Sequence, residues 1–407
     1  MHKDNYMKKI LILGAGLEQC LAIKEAQHLG YEVFACDQSP NAPGLLMANT
    51  GIVVDIRNTE ELIKIAKQFG VNGVFCHAVE IPEVVALISE AIGTPGLPAQ
   101  TAKLCTDKSL RIKALQQSGI AVANFKSADN INDLINSAEE FGYPLVLKPV
   151  DNAGSRGVQL VENRASLANA YNEAMTYTKN PVVLIEKFLK GPQISTESVV
   201  YKGEIYTFGF ADRNYSDDDF YSPYFIENGI NFPSILEKNI QKEILALVHK
   251  TINCLGINFG AAKGDIIVHN GIPHIIEMAS RTSGGWFGAG SIPKATGVNP
   301  LKPLLQMSVG DEPDFDALSS KWTLGCAQRY WIPKQSCTYL SCSNLDHVLT
   351  MPGVEIFDSF FPDAGSKLIK AQNHSQRYAH VVCTGHDREE AISRANSAID
   401  AIKVGTL

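Results

Sequence analysis

Short apolar runs alternate with helical stretches along the N-terminal part of the chain. The runs that we predict to be strands are 8–13, 31–36, 51–54 and 73–76. The stretches that we predict to be helices are 17–29, 59–69 and 81–92. Alternating strands and helices are typical of a parallel sheet covered by helices, so we predict an α/β domain here. The turn at 94–98 contains two prolines and a glycine, and it indicates that this domain closes near residue 105.

The first strand runs directly into a glycine turn, Gly14-Ala15-Gly16, and the second strand ends at Asp37. This layout is typical of a dinucleotide-binding unit, but Gln19 stands where the third glycine of the fingerprint belongs. We therefore predict a Rossmann-like domain without a nicotinamide cofactor. An NAD-dependent oxidoreductase built on residues 14–37 stays open as an alternative.

Two polar residues, His77 and Glu80, follow the strand at 73–76. Parallel sheets bind ligands at the carboxyl ends of their strands, so both residues are candidate substrate contacts. For His77, the alternative is a capping or core histidine.

The stretch 143–158 combines an apolar strand with a loop of small residues. Lys148 ends the strand, the loop occupies 151–157, and 158–161 is predicted to be a returning strand. Glycines let a backbone approach phosphates closely, and the backbone N–H groups of such a loop can donate to phosphate oxygens. The stretch therefore predicts a phosphate loop, and the alternative is an ordinary hairpin with a salt-bridged lysine.

A second candidate site lies on a predicted β-hairpin, whose arms are 261–268 and 273–276. Asp265 and Glu277 stand on its two arms, where antiparallel pairing can bring both carboxylates to one face. Two carboxylates that face a phosphate loop suit Mg²⁺, because that ion prefers hard oxygen ligands. Arg281 follows and can hold a phosphate through its planar guanidinium. The alternative is two solvated carboxylates on an exposed hairpin.

The remaining segments mix helices and strands. The further predicted helices are 109–118, 129–141, 166–176, 240–254 and 388–402. The further predicted strands are 182–185, 193–201, 323–330 and 378–384. We predict a mobile polar loop at 212–219 and assign no chemistry to the tail from about residue 321.

The length and composition exclude several classes of protein. The 407 residues suffice for two or three domains, and the net charge of −7 without a basic block argues against a nucleic-acid partner. No apolar run approaches the length that spans a membrane. Nine scattered cysteines without a CxxC motif predict reduced thiols, and the short polar N-terminus MHKDNYMKK is not a signal peptide. Together these features predict a cytoplasmic protein.

Four separated motifs resemble those of the ATP-grasp superfamily, in the order of that family. They are TDKSLRIKALQQSGI, YPLVLKPVDNAGSRGV, VLIEKFLKGPQISTESVV and GAAKGDIIVHNGIPHIIEMASRTSGGW. The run from Glu277 through Arg281 to Trp286 is most similar to the bacterial L-amino-acid (dipeptide) ligases. The resemblance implies an α/β chain with a Rossmann-like pre-grasp domain (1–105), a two-part α+β ATP-grasp domain (106–310, lid about 115–185) and a C-terminal α+β subdomain (320–407).

The resemblance also implies roles for the matching positions. It assigns these residues to ATP: Lys108, Lys148, Gly154, Ser155, Arg156, Gly157, Glu186, Lys187, Leu189 and Gln193. Asp265 and Glu277 would bind Mg²⁺, with Mn²⁺ as an alternative. Arg281 and Lys148 would be catalytic. The candidate substrate contacts are Glu80, Glu227, Arg281, Gly284 and Trp286, with Glu227 holding a substrate ammonium or, alternatively, being an exposed loop acid.

The implied reaction joins a carboxylate to an amine through an acyl phosphate, with small-molecule substrates that include an amino acid, and we expect a homodimer. Two positions depart from the family pattern. Gln193 replaces the usual ribose-binding glutamate, and Ala279 replaces an asparagine metal ligand, which leaves the number of metal ions open. The alternatives are ATP-dependent activation of bicarbonate or formate in nucleotide metabolism, and a non-catalytic nucleotide sensor.

Overall fold

The computed structural model describes residues 7–407. Most of the polar N-terminal segment, on which the prediction about a signal peptide rests, lies outside these residues. No helix between residues 7 and 407 is both long enough and apolar enough to cross a membrane. All nine cysteines are free thiols. The predicted cytoplasmic location stays a prediction.

The N-terminal part is the predicted parallel sheet with helices on its faces. Its strands are β1 (Lys9–Leu13), β2 (Glu32–Asp37), β3 (Thr50–Val53) and β4 (Gly73–Cys76), in the spatial order β3-β2-β1-β4. Its helices are α1 (Gln19–His28), α2 (Pro43–Met47), α3 (Thr59–Phe69), α4 (Pro82–Ile92) and α5 (Ala99–Thr106). The apolar residues of β1 and β2 are fully or almost fully buried, which explains their uninterrupted apolar sequence.

The space over the glycine turn is filled by a side chain of the chain itself. A Cβ atom at Gly14 would lie 3.2 Å from Cγ of Gln19, and one at Gly16 would lie 2.8 Å from its Oε1. The Gln19 amide donates to the carbonyl of His77 at 2.9 Å, and the amide of Ala15 donates to Asp37 at 2.8 Å. Gln19, which departs from the dinucleotide fingerprint, thus fills the space over the glycine turn with its own side chain.

A four-stranded antiparallel sheet, called the lid sheet below, lies in the segment that we predicted to be a lid. Its strands are β5 (Phe125–Ala128), β6 (Leu145–Pro149), β7 (Gln159–Val161) and β8 (Val183–Lys187), in the order β5-β8-β6-β7. The helices around it are α6 (Lys108–Gln117), α7 (Ile131–Phe141) and α8 (Arg164–Thr176). Asn130 and Asn163 cap α7 and α8 by accepting from backbone N–H groups three residues later, as expected of N-cap residues.

An eight-stranded antiparallel sheet joins the central part to the tail, in the order β13-β12-β9-β10-β11-β14-β18-β16. Its members are β9 (Gln193–Tyr201), β10 (Glu204–Arg213), β11 (Ile230–Phe232), β12 (Phe259–His269), β13 (Ile272–Ala279), β14 (Gly325–Trp331), β16 (Val354–Ser359) and β18 (Ala379–Gly385). Because β11 pairs directly with β14, the tail continues the central sheet. The domain boundaries themselves stay predictions.

The remaining elements surround this sheet. A small sheet contains β15 (Cys337–Ser343), β17 (Lys367–Leu368) and β19 (Lys403–Thr406). The remaining helices are α9 (Asp218–Tyr221), α10 (Lys238–Cys254), α11 (Ile292–Thr296), α12 (Leu301–Ser308), α13 (Leu345–Thr350) and α14 (Arg388–Ala401). Helix α12 shares one apolar core with β1, β2 and α1, so the central and N-terminal parts are packed together.

The segment 212–219 differs from the polar loop that we predicted. Asp212 and Arg213 end β10, and α9 begins at Asp218. The charges are paired in the interior, since Asp212 lies 2.9 Å from Arg388 and Arg213 lies 2.9 Å from Asp265. Polarity suggested exposure to solvent here, whereas the polar groups bind each other.

Candidate active site

A cavity of about 420 Å³ lies between the lid sheet, the eight-stranded sheet and the tail. Most of the residues predicted from the sequence line it. These are Lys108, Lys148, Gly154, Ser155, Glu186, Lys187, Leu189, Gln193, Glu227, Asp265, Glu277, Arg281 and Gly284. Four other predicted residues, Glu80, Arg156, Gly157 and Trp286, are not among the residues that line the cavity.

The loop 150–158 connects β6 to β7, which pair antiparallel with Leu145 opposite Val161. Gly154, Ser155 and Gly157 have φ angles of +68°, +59° and +73°, so the loop turns through left-handed conformations. Glycine suits the last of these, because a Cβ at Gly157 would lie 3.0 Å from the ring of Tyr177. The Arg156 side chain is exposed and donates to Asn152 at 2.8 Å.

Lys148 and Glu186 form an ion pair with 2.7 Å between Nζ and Oε1. They lie on the adjacent strands β6 and β8, and their side chains are only 10% and 9% exposed. The loop that follows β8 adds Phe188 and Leu189 to the cavity wall, and β12 and β13 add Ile267 and Ile276. This part of the cavity therefore combines apolar walls with one lysine and one carboxylate.

Helix α6 contributes two cations from one face, Lys108 and Arg111, which are three residues apart. Arg111 is buried and lies 3.3 Å from Glu277, while Lys108 donates to the carbonyl of Asn152 in the phosphate loop. Burial lowers the pKa of Lys108 to about 8; Glu277 opposes this shift, and Arg111 adds to it. The sequence motif placed Lys108 at the site but did not reveal Arg111.

Asp265 and Glu277 are register partners across β12 and β13. Lys263, two residues before Asp265, contacts the Asp265 carboxylate, and its Nζ lies 3.7 Å from Oε2 of Glu277. Asp265 also accepts from the hydroxyl of Ser195 at 2.9 Å, and its Oδ2 forms an ion pair with Nη1 of Arg213 at 2.9 Å. The two acids thus lie at the centre of a cluster of cations.

Both acids have a pKa below the ordinary value. Burial raises the pKa of Asp265, but the charges of Arg213 and Lys263 lower it by more. Burial likewise raises the pKa of Glu277, and Lys263 and Arg111 outweigh it, so the net value lies well below the ordinary one. Within residues 7–407, no three His, Cys, Asp or Glu side chains group as a metal site. Two ionised oxygen donors on one face nevertheless fit Mg²⁺ if a ligand supplies the other oxygens.

Arg281 follows β13 and is held by the N-terminal part of the chain. Its Nε donates to Glu80, and its Nη1 donates to the carbonyl of Thr282 at 3.1 Å. Burial lowers the pKa of Arg281, but the charges of Glu80 and Glu277 raise it by more, so the pKa lies above the ordinary value. Glu80 therefore contacts Arg281 without lining the cavity itself. His77 is buried against the Thr282 hydroxyl at 2.8 Å, and burial lowers its pKa to about 4, as expected for a core histidine.

The loop 283–286 is pinned by two carboxylates that sequence reasoning missed. Ser283 N–H donates to Glu197 at 2.6 Å, and the amides of Gly285 and Trp286 donate to Glu18 at 2.9 and 3.1 Å. Burial raises the pKa of Glu197 to about 7, and it also raises the pKa of Glu18. Three backbone amides of this loop thus donate to carboxylates of the chain itself.

The tail supplies one wall of the cavity, through Gln328, Tyr330, His374 and Arg377. Gln328 donates to the carbonyl of Gly285 at 2.7 Å. The amide of His374 donates to the carbonyl of Gly154 at 3.0 Å, and its Nε2 lies 3.2 Å from the hydroxyl of Ser155. A segment to which the sequence assigned no chemistry therefore contacts the phosphate loop directly.

Two family models match the chain. The D-ala D-ala ligase C-terminus matches residues 114–283, and the L-amino acid ligase C-terminal domain 2 matches residues 329–406. Together they cover the lid, most of the eight-stranded sheet and the tail that lines the cavity. The chain belongs to the ATP-grasp ligase family. The predicted family and fold class are thereby confirmed, and so, at the level of the family, is ligation that forms a carbon–nitrogen bond.

Two relatives of this ATP-grasp ligase match different shares of its length. An uncharacterized protein, y4rH, of Sinorhizobium fredii is 23% identical over 357 residues, which cover 86% of this chain and 72% of that protein. A formate-dependent phosphoribosylglycinamide formyltransferase of Prochlorococcus marinus is 31% identical over 192 residues, or 45% of this chain and 48% of the relative. The match thus spans about half the length of that enzyme.

The fold of the ATP-grasp ligase also resembles solved structures. The L-amino acid ligase from Bacillus licheniformis has a TM-score of 0.83 at 22% identity, and the alignment covers 98% of this chain and 99% of that one. At this identity the likeness concerns the fold. It extends over the whole chain, including the tail.

Six charged residues of the ATP-grasp ligase site were not predicted: Arg111, Arg213, Lys263, Arg377, Glu197 and Glu18. A signal existed for Lys263, because residues two apart on a strand share one face and Asp265 was already a candidate. No comparable local signal existed for Arg213, which we placed in a polar loop.

Proposed function

We propose that this protein is an ATP- and Mg²⁺-dependent ligase that joins a carboxylate to an amine, with an amino acid among its substrates. One observation carries the proposal. A single cavity holds a lysine-rooted loop at one end and, facing it, a pair of ionised carboxylates with Arg281 beside them. This arrangement provides for a phosphate chain, a divalent cation and an acid in one enclosure.

Each group has a residue set that fits it. Lys108, Lys148 and the N–H groups of the loop 150–158 would hold the phosphates of ATP. The apolar walls beside Glu186 would take the adenine. Asp265 and Glu277 would hold Mg²⁺, with Mn²⁺ as a substitute, and the bound ion would neutralise charge on the transferring phosphoryl group.

The reaction needs no protein nucleophile. An oxygen of the acid attacks the γ-phosphorus, the bond to ADP breaks, and an acyl phosphate forms. The amine nitrogen then attacks the acyl carbon and expels phosphate. Arg281 and Lys263 would neutralise the acyl phosphate, and catalysis would come from position and preorganised charge.

The match of the tail to an L-amino acid ligase domain favours an amino-acid substrate, because this segment lines the cavity through Tyr330, His374 and Arg377. A second candidate is activation of formate or bicarbonate, which the similarity to the formyltransferase favours over about half the chain.

A phosphate-release screen tests the proposal. ATP and Mg²⁺ are supplied with pairs of amino acids, with one amino acid and a second amine, and with formate or bicarbonate alone. We expect release that requires ATP, Mg²⁺ and at least one amino acid. Release that requires only formate or bicarbonate would favour the second candidate. Calorimetry that detects tight binding of NAD and none of ATP would contradict both.

A further inference from the structure

Arg377 lines the cavity from the tail, beside Glu227 and Tyr330. We call this part of the cavity the far end. The Arg377 side chain is 13% exposed, and its guanidinium lies 4.2 Å from the ring centroid of Tyr330. Nη2 donates to the main-chain carbonyl of Glu227. Its Nε is buried and has no hydrogen-bond partner within residues 7–407. A buried donor of a charged group without a partner is unusual in a folded protein, and here the residue that carries it lines a cavity.

The nearest carboxylate, Glu227, already has cationic partners. Nε of Arg213 donates to its Oε2 at 3.1 Å, Nη2 of Arg213 contacts the same oxygen, and Nη2 of Arg377 lies 3.9 Å from it. A substrate ammonium would have to compete with two guanidinium groups for Oε2 of Glu227. The sequence favoured Glu227 as an ammonium site or an exposed acid, whereas the geometry makes it the counter-ion of two arginines.

The wider charge balance is also positive. Eight lysine and arginine side chains line the cavity, against four aspartate and glutamate side chains. At the far end, the cations are Arg213, Lys263 and Arg377, and the acids that face them are Glu227 and Asp265. The group without a partner at this end is a donor, Nε of Arg377, and the ligand that suits a donor on a cation is an anion.

The ion pairs form a row that leads from Asp265 to Arg377. Asp265 contacts Arg213, Arg213 contacts Glu227, and Glu227 contacts Arg377, in a continuous chain from the carboxylate pair to the tail. An acid that reacts beside Asp265 and Arg281 would extend along this chain. Its far end would then lie close to the unpaired Nε of Arg377.

We propose that the acid substrate carries a second carboxylate, which does not react and is bound by Arg377 above the ring of Tyr330. The substrate class is therefore a dicarboxylate or an acidic amino acid activated at one of its two carboxyl groups. This inference rests on the proposed ligase function for the identity of the reacting group. The binding subsite itself is testable without turnover.

The probes are pairs of equal shape that differ in one charge: succinate with succinamate, glutarate with glutaramate, and aspartate with asparagine. Binding is measured by calorimetry on the full chain with Mg²⁺ and a non-hydrolysable ATP analogue. We compare wild type, Arg377→Met and Arg377→Lys. Arg394→Met is the matched control, because Arg394 belongs to the same subdomain, pairs with Glu390 and does not line the cavity.

In wild type and in Arg394→Met, we expect the dianion of at least one pair to bind about tenfold more tightly than its amide. In Arg377→Met this ratio should fall to near one, and Arg377→Lys should retain part of it. Equal binding of acid and amide in wild type would overturn the inference, and so would a ratio that survives Arg377→Met. A third result would also overturn the inference. If Arg377→Met weakened the preference for glycine over glycinamide but left the acid pairs unchanged, the subsite would belong to the amine substrate.

The same proteins distinguish this inference from the proposed function. If dianion binding depends on Arg377 but no acid supports ATP turnover, the anion subsite stands and the ligase proposal fails. If acids with a single carboxylate support turnover as well as dicarboxylates do, the ligase proposal stands and this inference fails.

Discussion

Asp265 and Glu277 stand directly opposite each other on β12 and β13, and the side chain of Lys263 reaches both carboxylates. The pairing is local in origin, because a turn through Asn270 and Gly271, both with positive φ, connects the two strands. A bulge-like register shift between Asp265 and Ile266 then moves the pairing by one residue, so that Glu277 rather than Ile276 stands opposite Asp265. The proposed metal ligands are therefore fixed by the hairpin itself. The surrounding cations, which come from α6, β10 and β12, keep both acids ionised.

Lys148→Met is expected to weaken ATP binding. A charge-assisted contact of this kind is worth roughly 1.5–3 kcal/mol, so the dissociation constant should rise about tenfold or more. Calorimetry with ATP and Mg²⁺ measures this directly. The exposed Lys126 of β5, which pairs with Glu140, provides the matched control, and Lys126→Met should bind ATP as wild type does.

The substitution also leaves Glu186 buried without its partner, and breaking a buried ion pair costs about 3–5 kcal/mol. The double variant Lys148→Met/Glu186→Gln should recover part of the lost thermal stability. Unchanged ATP affinity in Lys148→Met would place this lysine outside the nucleotide site.

The pKa of Lys108 near 8 predicts two opposite responses to alkaline pH. If Lys108 holds phosphate as a cation, the affinity of the free enzyme for ATP should fall as pH rises from 7 to 9. Over the range from about 8 to its ordinary value of 10.5, the unfolded chain binds more protons at this residue than the folded chain does. The contribution of Lys108 to the free energy of unfolding should therefore rise with pH in that window.

Lys108→Arg separates these effects, because arginine stays charged throughout. Calorimetry across this pH range should show a flatter decline of ATP affinity in the variant than in wild type. Identical pH profiles would show that the charge of Lys108 does not contribute to ATP binding.

His374→Ala is expected to loosen the phosphate loop. The imidazole of His374 contacts the hydroxyl of Ser155, so its removal should speed hydrogen exchange of the amides at 153–158 and raise the KM for ATP. Burial holds the pKa of His374 well below its ordinary value, so this contact should not change between pH 6 and 8. The exposed His347 provides the control, and His347→Ala should exchange at the wild-type rate in this loop.

Local patterns predicted much of the fold and about half of the site. The strand–turn–helix order at Gly14, the loop after Lys148 and the hairpin of Asp265 and Glu277 are all set by residues close together in sequence. Their geometry follows from turn chemistry and from strand alternation. These segments also contain most of the residues that line the phosphate end of the cavity.

The far end of the cavity could not be predicted in this way. Arg213 and Arg377 are separated by more than half the central and C-terminal sequence, and the pairing of β11 with β14 brings their elements together. Glu18 reaches the loop at Gly285 from the N-terminal part of the chain. Such contacts depend on the packing of whole sheets, and no local composition or spacing reveals them.

We propose that a carboxylate becomes an acyl phosphate beside Asp265 and Glu277. Hydroxylamine intercepts an acyl phosphate as a hydroxamate, so the direct measurement is hydroxamate formation from ATP, Mg²⁺ and a panel of mono- and dicarboxylic acids and amino acids. Glu277→Gln retains an acceptor for Arg111 but loses the charge that Mg²⁺ prefers. We predict hydroxamate formation that requires ATP, Mg²⁺ and an acid, with a rate at least about a hundredfold lower in Glu277→Gln. Absence of hydroxamate with every acid, or equal rates in both proteins at every Mg²⁺ concentration, would contradict this account.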